Sequence, residues 1–161
     1  MTPFHTPRLV ARPASGDDLP DLQDVLAGAP TYHELVDGAP AGPNAGADLL
    51  ADAEADPDRR LLLLWPASGG AAAGVVDLQL HWPEPGAAHV RLLLLRESLQ
   101  GRGLGRETAA ALEEALREEG FRALRLSVTG DNGGARAFWE RVGFAPVERR
   151  RAGDTLHEKL L

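Results

Sequence analysis

Glycines stand at positions 101, 103 and 105, after an apolar run and before a stretch with no glycine or proline until Gly120. Inside regular structure each costs about 0.5–1 kcal/mol relative to alanine. Three at a helix entrance therefore imply a backbone that other residues cannot supply. A strand, a bare glycine turn and a helix form a unit that binds anions. The backbone can approach a ligand closely, and the unpaired N–H groups of the first helical turn point at it from the positive end of the dipole. A pyrophosphate is the expected guest, with Arg102 and Arg106 adding charge. Two familiar glycine motifs fail. The dinucleotide pattern G-x-G-x-x-G would need glycine where Arg106 or Thr108 stands, and the P-loop needs Gly-Lys-Ser/Thr where Gly105 is followed by Arg106 and Glu107.

Hydrophobic periodicity places this unit in a larger alternation. Residues 8–13 read as a strand that stops at proline. Asp17 or Asp18 caps a helix to residue 27, with Leu19, Leu22, Val25 and Leu26 on one face. Short helices follow over 31–36 and 48–55, separated by a Pro/Gly-rich loop over 38–46. Three strands over 59–65, 72–82 and 88–95 come next. The last contains four consecutive leucines, apolar on both faces, which places it in the middle of a sheet. A helix over 104–119 buries Ala109, Leu112, Ala115 and Leu116 and pairs Glu113 with Arg117. A strand over 123–128, a helix over 133–142 and a strand pair over 144–149 and 155–160 close the chain. The expectation is a mixed α/β sheet in a single domain spanning residues 1–161.

Composition narrows the function. The 161 residues include no cysteine, which excludes disulfide frameworks, thiolate zinc sites and cysteine nucleophiles. A net charge of −7 argues against a nucleic-acid partner, whose footprint is a basic patch, while permitting a local basic pocket. No apolar run approaches the roughly 20 residues of a membrane span, and the start lacks a signal peptide's apolar stretch. A soluble cytoplasmic protein with no membrane partner is expected.

One motif fits the turn: Q/R-x-x-G-x-G/A, here Gln100-Gly-Arg-Gly103-Leu-Gly105. A second lies downstream: Asn132, Ala135, the aromatic pair Phe138-Trp139 and a terminal Gly143-Phe144. On these the chain resembles the GNAT superfamily of acyl-CoA-dependent N-acyltransferases, specifically from about residue 90 to 147. The resemblance implies a mixed, mostly antiparallel sheet flanked by helices and splayed at its central strand. It implies acetyl-CoA as acyl donor, no metal, and an N-acetyltransferase that moves the acetyl group directly to a primary amine of a small molecule or peptide. It assigns donor binding to Leu93, Leu94 and Leu95, to the turn residues Gln100, Gly101, Arg102, Gly103, Leu104, Gly105 and Arg106, and to Asn132, Phe138 and Trp139. Asn132 also suits a plain helix cap, and Phe138 suits the core. Dimerisation is common in such small acyltransferases, so a homodimer is open.

The match departs from the family at Trp139, where a tyrosine often serves as general acid. An indole N–H cannot deliver a proton at neutral pH, so water, another side chain or the lone Tyr32 must stand in. Candidate bases are Asp77, which sits among apolar neighbours and demands a partner, and His81 and His89 beside the second hairpin. Tyr32, His33 and Glu34 are placed to cover an acceptor site. A non-catalytic acyl-CoA sensor would keep the glycine turn and lose the chemistry, and a phosphosugar or nucleotide-binding module is a third reading. The acceptor stays open among polyamines, aminoglycosides, amino acids and protein N-termini; the negative net charge leans weakly toward a cationic amine.

Overall fold

Side chains alternate across a strand, so the four leucines at 61–64 must find apolar neighbours on both faces of a sheet. They do. In the computed structural model, which describes residues 3–150 and 153–161, Leu62 and Leu64 enter one core while Leu61 and Leu63 enter another. Full burial of each leucine contributes about 1.5–3 kcal/mol.

The elements are β1 (Phe4–His5), β2 (Leu9–Pro13), α1 (Leu19–Ala27), α2 (Pro30–Asp37), α3 (Ala45–Glu54), β3 (Arg59–Pro66), β4 (Gly74–Leu80), β5 (Ala87–Leu95), α4 (Leu104–Glu118), β6 (Ala123–Val128), α5 (Gly133–Arg141), β7 (Ala145–Arg149) and β8 (Thr155–Leu160). One eight-stranded sheet runs in the order β1-β2-β3-β4-β5-β6-β8-β7. Its neighbours are antiparallel except β5 and β6, which run parallel. On one face α4 seats Leu104, Ala109, Leu112 and Leu116, beside Trp139 of α5. On the other lie Leu22, Val25 and Leu26 of α1 and Leu50 and Ala53 of α3. No helix among the described residues is long and apolar enough to cross a membrane.

The mixed sheet and the central place of β5 match the sequence reading, with local differences. The two-residue β1 was not expected; it is held by pairing with Ala11 and Val10 of β2. β8 inserts between β6 and β7, which leaves β7 an exposed edge. Asp18 occupies the N-cap of α1 but makes no side-chain bond into it; its carboxylate instead accepts from the Ser15 amide and hydroxyl and from Arg12. Glu113 does not pair with Arg117. It is buried against Lys159 Nζ at 2.6 Å, and Arg117 bonds Glu114 instead.

Candidate functional site

The site begins where two strands part. β5 pairs with β6 only from Ala87 to Val90, yet stays paired with β4 as far as Leu95. The Arg96 amide bonds Ala73 O across the β4 side. In an antiparallel ladder alternate residues face the partner, so Leu92 and Leu94 bond β4, while Leu93 and Leu95 turn their amides and carbonyls into the gap. One of these groups is already engaged: Gln100 Nε2 donates to Leu95 O at 3.0 Å. The parting begins at Arg91, inside the central strand where the resemblance implies a splay.

The glycine turn lies just beyond. Gly101 (φ 73°) and Gly103 (φ 83°) sit in the left-handed region that favours glycine. Gly105 is there for a different reason: a Cβ on it would stand 3.3 Å from the Phe138 ring. Among the described residues, no acceptor meets the backbone N–H of Gly101, Arg102, Gly103, Leu104, Gly105 or Arg106. Nothing lies within 4 Å of where a Gly101 Cβ would be. These six donors stand at the N-terminus of a fifteen-residue helix, and Gly101 and Gly105 among them line the cavity described below. The Leu104 side chain is buried in the core, so only its amide is available here. The side chains of Arg102 and Arg106 are exposed and meet no acid among the described residues.

A third arginine reaches the turn from β2's approach. Arg8 Nε donates to Glu107 Oε1 at 2.7 Å, and its Nη2 donates to Arg102 O at 2.8 Å. The guanidinium holds the Glu107 carboxyl below its usual range. Sequence reasoning missed Arg8, because nothing local marks a contact across more than ninety positions.

Turn and strand edge wall one cavity of about 450 Å3, within the range of small-molecule sites. Leu93, Leu94, Leu95, Gln100, Gly101, Gly105, Asn132, Phe138, Trp139 and Tyr32 all line it. Asn132 caps α5, its Oδ1 accepting from the Ala135 amide at 3.0 Å, and still contributes to the wall. Phe138 does both jobs as well, packing on the core and lining the cavity. The Trp139 ring is fixed edge-on between Phe138 and Phe144, at 4.9 and 5.0 Å. Thr31 and Glu97 complete the rim through a hydrogen bond, joining α2 to the turn after β5; no motif signalled them.

The three candidate catalytic residues separate. Tyr32, on α2, reaches the cavity, and burial, with Asp37 nearby, raises its phenol pKa further above 10.0. It is a protonated donor at neutral pH. Asp77 is buried on β4 and gripped by Arg59, whose Nε and Nη2 donate at 2.9 and 2.7 Å; it lines neither the cavity nor the gap. His89 lies four residues back from Leu93, about 13 Å along an extended strand. Its ring meets Trp82 edge-on at 4.9 Å. Burial first, then Arg150, Arg91 and Arg125, push its pKa down to about 4. His81 is exposed and rests on Phe121.

Free amides at the turn and an open strand edge beyond them suit an anion joined to an extended arm. Comparison with known proteins gives the family. The model of the acetyltransferase (GNAT) family matches residues 28–144. The chain belongs to the GNAT acetyltransferase family. A crystal structure of an acetyltransferase from Thermus thermophilus superposes with a TM-score of 0.88 at 32% identity, over 98% of this chain and 99% of that one. The PaiA N-acetyltransferase of Thermoplasma acidophilum, solved in complex with coenzyme A, shares the fold at a TM-score of 0.72 and 18% identity, over 95% and 99%. The mycothiol acetyltransferase of Beutenbergia cavernae is 35% identical over 86 residues, 53% of this chain and 29% of that protein. The GNAT chain spans under a third of the length of the curated relatives it matches.

Proposed function

We propose that this chain transfers an acetyl group from acetyl-CoA directly to a primary amine, both bound at once. The observation that carries the reading is the row of amides from Gly101 to Arg106, without acceptors among the described residues, continuous with the freed edge of β5. The amides and Arg102 and Arg106 would hold the diphosphate, and Leu93 and Leu95 would bond the arm that leads to the acyl group. Bound there, the donor supplies an activated thioester: the amine nitrogen bonds the acetyl carbon, the C–S bond breaks, the amine loses a proton and the sulfur gains one.

The chain's part is to position and polarise. An amide on the β5 edge, aimed at the oxygen that gains charge, is worth about 3–4 kcal/mol in a water-poor site. Holding amine and acyl carbon in contact supplies much of the rest. Tyr32 is the proton donor for the departing sulfur: it lines the cavity and stays protonated at neutral pH. Asp77, already held by Arg59, and His89, remote from Leu93, are not placed to take the amine's proton directly. Water in the gap is the simplest route out.

Calorimetry with coenzyme A and acetyl-CoA, followed by thiol release across an amine panel, tests the reading. Binding of both, with thiol release from some amine, is expected. Failure of both to bind ends it, and binding with no release from any amine would leave an acyl-CoA sensor.

A further inference from the structure

Where β5 and β6 part, a second cavity of about 250 Å3 continues the first, sharing Tyr32, Leu93, Asn132 and Trp139. It opens onto Arg91, Ser127 and Thr129. Among the residues lining it, Arg91 alone carries a charge. The neighbouring carboxylates are engaged. Asp77 is bound twice by Arg59, which also feels Asp52 and Asp56, and lies 3.5 Å from Arg91 Nε. Asp37, on the α2 side, meets His33 Nδ1 at 3.0 Å. Independently, Thr129 Oγ1 is buried on the same wall and has no hydrogen-bond partner among the described residues. A buried hydroxyl without a partner is costly, and a polar ligand atom in this cavity would satisfy it.

Building on the transfer reading, we propose that the acceptor amine carries its own anionic group, carboxylate or phosphate. Arg91 receives that group, and Thr129 donates to it or to a neighbouring polar atom. Arg91 and Leu93 are two residues, about 7 Å, apart along the strand, and the flexible arginine stem shortens that span. Amine and anion then need be only a few bonds apart, as in an amino acid or an amino-sugar phosphate. Despite the overall charge of −7, a cavity whose one charged lining residue is Arg91 selects against polyamines.

The test is steady-state acetylation of matched pairs: amino acids against their carboxamides, and an amino-sugar phosphate against the free amino sugar, with a polyamine alongside. At least one anionic class is expected to exceed its neutral partner in kcat/KM by about tenfold or more, as for a hydrogen bond to a charged group. The two pairs tell carboxylate from phosphate. Arg91→Gln should raise KM for the preferred class by a similar factor and bring the preference near unity, with KM for acetyl-CoA unmoved; Arg91→Lys should restore part of it. Neutral amines or the polyamine turned over as well as the anionic ones, or a preference that survives Arg91→Gln, overturns the proposal while the transfer reading stands. Thiol release from no amine overturns both.

Discussion

From Ala87 to Val90, β5 is hydrogen-bonded on both sides; from Leu92 to Leu95 it is bonded on one. The first half is sheet interior, its polar groups spent on β4 and β6. The second half carries the same kind of sequence, but its outward amides and carbonyls face a cavity. Apolar side chains reach the core from both halves, so what separates scaffold from site is chiefly the backbone partner. The histidine and tyrosine candidates divide the same way. His89 belongs to the closed half, pressed on Trp82, and Tyr32 stands over the open half.

Substitutions at the two halves should therefore fail differently. The largest effect is expected at Tyr32. Tyr32→Phe should lower kcat for acetyl transfer about a hundredfold or more, the scale of general acid catalysis, with KM for acetyl-CoA little changed. In the unaltered chain the rate should fall on an alkaline limb above pH 10.0, because the folded phenol keeps its proton past that value. The limb should vanish in the variant; its persistence would assign it elsewhere.

A smaller effect is expected at the turn. Gly103→Val forces a β-branched residue into φ 83°, at about 1–2 kcal/mol. If the turn relaxes to escape that strain, calorimetry should record roughly five- to thirtyfold weaker acetyl-CoA binding. Unaltered affinity would show that the left-handed turn is not the binding conformation.

The smallest belongs to the closed half. His89→Gln should leave turnover at neutral pH near that of the parent, and act on stability instead. The folded state keeps His89 neutral down to about 4, against an ordinary 6.5, so the unfolded chain takes up the proton first. Stability from the neutral ring is complete above pH 6.5 and is lost as pH falls toward 4. Denaturant midpoints measured across that window should slope less in the variant. A large loss of kcat at constant stability would instead return His89 to the chemistry.

Leu93 to Leu95, Gln100, Gly101, Gly105, Asn132, Phe138 and Trp139 of the cavity wall were readable because the motifs that mark them are local. A left-handed turn, a helix start and an aromatic face are each written within a few residues. The same reading saw that Asp77 demanded a partner but could not find Arg59, eighteen positions away across a strand pair. It gave Glu113 to Arg117, its neighbour at one helical turn, where the structure gives it to Lys159 on β8. Thr31 and Glu97, and the gap in front of Arg91, likewise depend on which segments meet and at what register. Such contacts are fixed by burial summed over the sheet, and no short motif stores them.

Arg8 enters ahead of β2, in the chain's opening hairpin, and its guanidinium closes on Glu107 and on the Arg102 carbonyl. The glycine turn is thus stitched to a segment more than ninety positions ahead of it, and takes its final shape only once the two have met. On the proposed reading, acetyl-CoA affinity becomes a gauge of whether that hairpin is seated, and a change at Arg8 will register as a looser grip on the diphosphate.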